Sequence, residues 1–336
     1  MYGDAGRADR RKAQVKGVEG LTVRTAAGKA PELRAGSLRQ SGRSRAGAAA
    51  TYICSVSSPA KSPAAKSVRS VLQKYLMVPK LIRLSRSAPK DRPVAWDTYW
   101  AGIRGRGAGS DILWDPGTDN EFLGYRDVLL RYLDRGLPVI DVGCGHGRFT
   151  RALAAVFAEA VGVDVSGHAV AHAEAQADAQ AGAGGRAGRL RYQALDMTTT
   201  GAAGTLAVQG DANVFIRGVL HVLDAADQAA MVENLRLLAG NRGTVFLAET
   251  NFQGNPVEYV SHLGATRRNI PAPLERAIRG LPMPGHFGPG ERSRAFPPEA
   301  WELLADGGVA IEINPATGVD GQSHVPGYFA VLRPRK

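Results

Sequence analysis

Cysteine is almost absent from the chain: Cys54 and Cys144 are the only two in 336 residues, which excludes a disulfide framework and a zinc site of paired-cysteine spacing. Long hydrophobic runs are missing too. Charges or prolines interrupt every apolar stretch well short of the roughly 18–20 residues needed to cross a bilayer, so no transmembrane helix is expected. The N-terminus has arginines but no apolar core followed by a small-residue cleavage site, and a secretory signal is not expected. An organellar transit peptide stays open, with Asp4, Asp9 and Glu19 counting against it, and the working expectation is a cytoplasmic protein. No metal is implied.

Acidic residues are scarce at one end only. Residues 1–93 hold 20 Lys+Arg against 5 Asp+Glu, a balance of +15, whereas residues 94–336 hold 22 against 26, a balance of −4. The high pI therefore belongs to the N-terminal segment. The body lacks the basic footprint with which nucleic-acid binders neutralise phosphates, and a nucleic-acid partner is not expected.

Residues 1–66 show no sustained period of 2 or 3.6 and read as a disordered basic extension, taken as 1–76 with the short segment that follows. Val68, Val71, Leu72, Tyr75 and Leu76 are spaced as one face of a short amphipathic helix that Pro79 should end. Such a helix either docks on the body or touches an anionic membrane surface. Met77 stands just before the composition changes and is an alternative start. Residues 77–119 form an N-terminal lid or substrate segment, and 120–336 the main domain.

In that domain short strands alternate with longer helices, the pattern of an α/β fold with a mostly parallel sheet. Asn120–Arg135 is expected as a helix, Val139–Val142 as a strand, Phe149–Phe157 as a helix, Ala160–Val165 as a strand and His168–Ala181 as a helix. After a loop at Gly182–Gly188, Leu190–Leu195 and Ala212–Ile216 read as strands, Asp227–Leu238 as a helix and Thr244–Ala248 as a strand. Val309–Ile313 and Tyr328–Leu332 supply the last two of seven strands, with helices on both faces. The Pro- and Gly-rich insertion 251–298 is expected to form a cap that selects the substrate.

The chemistry concentrates in VIDVGCGHGRF, residues 139–149, where a hydrophobic strand runs into glycines and opens a helix. Gly143, Gly145 and Gly147 remove side chains that would block close approach of a ligand. In the dinucleotide pattern G-x-G-x-x-G the third glycine would fall at 148, which is Arg148. At GVDVS, residues 162–166, Asp164 ends a strand 21 residues after Gly143, where a carboxylate can accept hydrogen bonds from ribose hydroxyls. LDM at 195–197 sets Asp196 after the next strand, and FIRGVLHVL at 215–223 carries Arg217 and His221.

This order of motifs resembles the class I, Rossmann-like, S-adenosylmethionine-dependent methyltransferases of the small-molecule type, over roughly residues 94–333. The resemblance implies S-adenosyl-L-methionine as cofactor. It implies that Asp141 holds the loop and the methionyl ammonium, that Gly143, Cys144, Gly145 and Gly147 line the methionine part, and that Asp164 binds ribose. Val165 and Met197 would flank the adenine, with Asp196 on its edge and Arg217 on the donor carboxylate or an anionic substrate. His221 is the candidate base, although its apolar neighbours favour a packing role. Trp96, Tyr99 and Trp100 in the lid, with Phe252 and Tyr259 in the insertion, are candidate substrate contacts or anchors of their segments.

The chain lacks the D/N-P-P-Y/F pattern that grips amino nitrogens and the Pro-Cys of cytosine C5 enzymes. The expected reaction is methyl transfer to a small-molecule O, C, S or N atom. A nucleic-acid methyltransferase using the basic tail, a nicotinamide-dependent oxidoreductase and a noncatalytic S-adenosylmethionine-binding protein remain alternatives.

Overall fold

The computed structural model describes residues 22–25, 76–105, 110–181, 189–208, 210–314 and 324–336. The sheet has eight strands in the order β1-β7-β8-β6-β5-β2-β3-β4. They are β1 Thr22–Thr25, β2 Val139–Val142, β3 Glu159–Asp164, β4 Arg189–Ala194, β5 Asn213–Arg217, β6 Val245–Thr250, β7 Trp301–Glu312 and β8 His324–Pro334. Strands β2 to β6 pair in parallel, and β8 pairs antiparallel with both β6 and β7. Seven of these strands make up the expected sheet. The addition is β1, which pairs antiparallel with β7 and comes from the segment read as lacking structure. The rest of that segment up to residue 75, including most of the expected 68–76 helix, lies outside the described residues.

The helices are α1 Val78–Ser85, α2 Arg92–Ala101, α3 Asn120–Tyr132, α4 Arg148–Ala154, α5 Gly167–Ala181, α6 Ala225–Ala239, α7 Pro256–His262, α8 Ala272–Gly280 and α9 Pro289–Ala295. Pro79, expected to end a helix, sits in the first turn of α1 instead, where its missing N–H has no helical acceptor to lose. Asp224 caps α6 by accepting from the Asp227 amide, so that helix starts two residues earlier than expected.

Side chains alternate across the sheet with the period of two that a pleated strand imposes. Phe215, Phe246 and Phe329 stack under one face, with ring centroids 5.4 and 6.1 Å apart, and join Tyr125 and Leu129 of α3. Val214, Ile216, Val245 and Leu247 enter the core on the other face, against Leu235 and Leu238 of α6. The chain runs β2, β3, β4 toward one edge and then returns through β5 and β6 on the other side of β2. The crevice beyond the carboxyl ends of β2 and β5 is thus the topological switch point, the position where open α/β sheets hold their ligands.

β7 and β8 are longer than expected, because Trp301–Asp306 continues the strand to pair with Ala330–Pro334 across an irregularity between Leu303 and Ala305. The insertion 251–298 contains the three short helices α7, α8 and α9.

Candidate active site

The loop after β2 takes the shape its glycines permit: Gly143, Gly145 and Gly147 have φ of 75°, 54° and 76°, in the left-handed region that side chains disfavour. Space is also closed to a side chain. A Cβ on Gly145 would lie 2.9 Å from the Trp100 ring, and one on Gly147 would meet the Tyr192 hydroxyl at 2.5 Å. The Gly143 and Cys144 amides donate to Val163 O at 2.8 and 3.0 Å, which ties the loop to β3.

Two buried carboxylates organise this loop. Asp141 Oδ2 accepts from the Thr150 hydroxyl at 2.6 Å, joining β2 to α4. Burial pushes the Asp141 carboxyl up to about 7; the Thr150 hydrogen bond opposes this and the nearby Asp164 charge adds to it. Asp164 Oδ2 accepts from the Gly145 amide at 2.9 Å and Oδ1 from the Ser166 amide at 3.0 Å. Burial raises Asp164 to about 6 against those two bonds. Cys144 packs beside them with its thiol held well above its usual range by burial first and then by the Asp164 and Asp141 charges, so it stays an inert thiol.

Folded Asp141 binds its proton more tightly than the unfolded chain, where a carboxyl titrates near 4. Its contribution to stability is therefore complete below that value and is lost as pH rises through about 7. We expect the ligand-free protein to lose thermal stability across this window, and Asp141→Asn to flatten that part of the slope. An unchanged slope in the variant would assign the effect elsewhere.

A cavity of ≈ 200 Å³ opens beside the loop. Asp141, Gly143, Cys144, Gly145, Asp164, Val165, Asp196, Met197, Arg217 and His221 all line it, as do Trp96, Trp100 and Tyr259. The structure thus brings together residues scattered over more than 160 positions. Gly147 stands behind the loop against Tyr192. Tyr99 and Phe252 are not on the wall: Tyr99 stacks on Trp114 at 5.3 Å, and Phe252 packs edge-on to Tyr259 at 5.4 Å, so both support neighbours that are.

Arg217 departs from its expected role. Its Nε and Nη2 donate to the two Glu121 carboxylate oxygens at 2.8 and 2.7 Å, and Nη2 also reaches Glu312 O at 3.0 Å. Glu121 in turn accepts from the Tyr125 hydroxyl at 2.6 Å and the Glu312 amide at 2.9 Å. This buried, bidentate pair ties β5 to α3 and β7, and Arg217 is committed to it rather than held out for a ligand.

Asp196 is engaged as well. Arg92 Nη2 donates to both of its oxygens at 3.0 and 2.8 Å, and Thr198 donates through its amide and hydroxyl. Burial raises the carboxyl, but the Thr198 and Arg92 bonds together outweigh it and hold Asp196 below the usual range. Arg92 Nε also donates to Asp227 at 2.9 Å, so this one side chain of α2 clasps the loop after β4 and the first turn of α6.

His221 is supported from below by a residue that sequence reasoning missed. Glu249, fully buried at the end of β6, accepts Nδ1 of His221 at 2.7 Å through Oε2, and Oε1 accepts the Val219 and Leu220 amides at 3.0 and 2.9 Å. With a carboxylate on Nδ1, the ring is fixed in the tautomer whose proton sits there, leaving the Nε2 lone pair as an acceptor. The signal available in the sequence was an acid ending the apolar run VFLAET. Asp115 was missed too. It receives His146 Nε2 at 3.0 Å and Arg148 Nη1 at 3.3 Å on the cavity wall.

With this geometry in place, comparison with known proteins gives a consistent result. Residues 140–245 match a family model described as a methyltransferase domain. That stretch runs from β2 to the start of β6, through the glycine loop and Asp164, and is similar to a methyltransferase domain. In fold it is similar to a SAM-dependent methyltransferase from Anabaena variabilis, with a TM-score of 0.62 and 23% identity over 74% of this chain and 97% of that one. It is also similar to a structure from work on the conversion of a disulfide bond into a thioacetal group during echinomycin biosynthesis, with a TM-score of 0.52 and 19% identity over 71% and 91% of the two chains. No curated protein matches the sequence. The residues present fit S-adenosylmethionine: the glycine loop offers a backbone surface free of side chains, and Asp164 ends β3 beside it on the cavity wall. Among the described residues no helix is long and apolar enough to cross a membrane, and no cluster of His, Cys, Asp and Glu has metal-site geometry.

Proposed function

We propose that the protein methylates a weakly acidic group, a hydroxyl above all, on a small apolar or aromatic molecule. The observation that carries this reading is His221 on the wall of the cavity that also holds the glycine loop, with the buried Glu249 carboxylate on its Nδ1. When bound, S-adenosylmethionine supplies a methyl group already activated by the sulfonium charge. What remains for the protein is to orient the acceptor in line with it and to take up the acceptor proton.

Each residue then has a task. Asp141 carries a carboxylate for the methionyl ammonium; Gly143, Cys144 and Gly145 form the surface for the methionyl part, and Gly147 lets the loop turn behind it. Asp164 accepts ribose hydroxyls, and Val165 and Met197 enclose the adenine. Asp196 shares its oxygens between Arg92 and the adenine edge. His221 Nε2 receives the acceptor proton, while Glu249 keeps the ring in register and offsets the charge that forms on it. Arg217 supports the wall from behind through Glu121. On the acceptor side the lining is Trp96, Trp114, Leu274, Ile278, Leu281 and Met283, which excludes water and favours a flat, apolar substrate. Residues 77–119 act as the lid and 251–298 as the cap. The small-molecule acceptor is the only partner this reading requires, in a cytoplasmic setting.

The test is transfer of a labelled methyl group from S-adenosylmethionine to members of a panel of phenols, thiols and amines. Labelling confined to amines would overturn the hydroxyl reading. For the cofactor contacts, Asp164→Ala is expected to weaken S-adenosylhomocysteine binding by roughly 1.5–3 kcal/mol, the range for hydrogen bonds to a charged group. Unchanged affinity in a folded variant would take Asp164 out of the site.

A further inference from the structure

Arg148 opens α4 directly after the glycine loop and lines the cavity. Its guanidinium lies over the Phe149 ring, 4.8 Å from the centroid, with Arg217 5.6 Å from the centroid of the same ring. The two cations differ in how they are matched. Arg217 has both oxygens of Glu121 and a backbone carbonyl. Arg148 has one bond, from Nη1 to Asp115 Oδ1 at 3.3 Å, and that carboxylate is divided with His146 at 3.0 Å and the Gly117 amide at 3.1 Å. Nη2 of Arg148 is buried and has no hydrogen-bond partner. A buried donor left in this state is costly, more so when charged, and native proteins rarely carry one without a use for it.

We propose that Arg148 is a carboxylate-binding residue of the cavity. The chemistry favours a single monovalent anion: one guanidinium edge is unmatched, Asp115 and Asp141 stand nearby on the same wall, and a dianion would face both. A carboxylate also matches the planar fork of a guanidinium. The carboxylate has two sources, the amino-acid tail of the methyl donor or the acceptor itself, and the inference rests on the donor site described above.

Calorimetric titration of wild type, Arg148→Gln and Arg148→Lys separates the sources. The probes are S-adenosylhomocysteine, which has the amino-acid tail, 5′-methylthioadenosine, which lacks it, and benzoate added to protein saturated with S-adenosylhomocysteine. Melting curves confirm folding. If the donor tail is bound, Arg148→Gln weakens S-adenosylhomocysteine by about 10–100-fold, leaves 5′-methylthioadenosine unchanged, and is partly rescued by Lys. If the acceptor is bound, S-adenosylhomocysteine affinity holds while benzoate binding is lost. Equal loss for both nucleosides would make Arg148 a support for the loop and overturn the proposal, as would unchanged S-adenosylhomocysteine affinity with no Arg148-dependent benzoate binding. Wild type that binds neither nucleoside would instead defeat the donor site itself, and the proposal with it.

Discussion

His221→Gln is expected to slow single-turnover methyl transfer by about 10²–10⁴-fold, with S-adenosylhomocysteine affinity and melting temperature close to wild type. The expectation rests on the Glu249 carboxylate 2.7 Å from Nδ1, which orients the ring toward use of Nε2. Glu249→Gln should give a similar loss in rate, because an amide can hold the ring in either tautomer and offers no charge to offset the imidazolium. It should also destabilise the turn at 219–221, whose amides Glu249 accepts. A pH profile distinguishes the roles: the basic group that governs the wild-type rate should vanish in His221→Gln. If the variant melts well below wild type while retaining full turnover, His221 is a packing residue, as its apolar sequence neighbours suggested.

Glu121→Ala carries the second large effect, this time on stability. Removing the acid leaves Arg217 charged and buried, and breaking one partner of such a pair costs about 3–5 kcal/mol. For a domain of this size that lowers the melting temperature by roughly 6–20 °C. The double variant Glu121→Leu, Arg217→Met should regain much of the loss, since well-packed apolar replacements of both partners are often tolerated. A single variant that melts within about 2 °C of wild type would mean that water reaches the guanidinium and that Arg217 is free to serve a ligand after all.

These two pairs show where sequence reasoning stopped. The alternation of strands and helices was legible because it depends on local periodicity, and the glycine loop because backbone shape demands glycine at three positions. Strand ends were less so: Trp301–Gly308 has two acids and two glycines where β7 continues, and only its pairing with β8 makes it a strand. Partners were invisible. Glu121 lies 96 positions from Arg217 and Glu249 lies 28 from His221, and no spacing rule connects residues that meet only after the sheet has formed. Each left a faint trace as an acid on an otherwise apolar surface. Glu121 shares a helix face with Tyr125 and Val128, and Glu249 closes a strand of buried residues. Arg217 reads by type as a ligand binder; that it is neutralised internally depends on those unseen partners.

The clasp made by Arg92 has a consequence for how the chain reaches its native state. Its bonds to Asp196 and Asp227 join residues 104 and 135 positions apart, so docking of α2 closes loops far longer than any within the sheet's βα units. Such closure is favourable only once both carboxylates have been brought to fixed positions. α2 is therefore expected to dock on a finished sheet, late in folding, after the parallel core has formed.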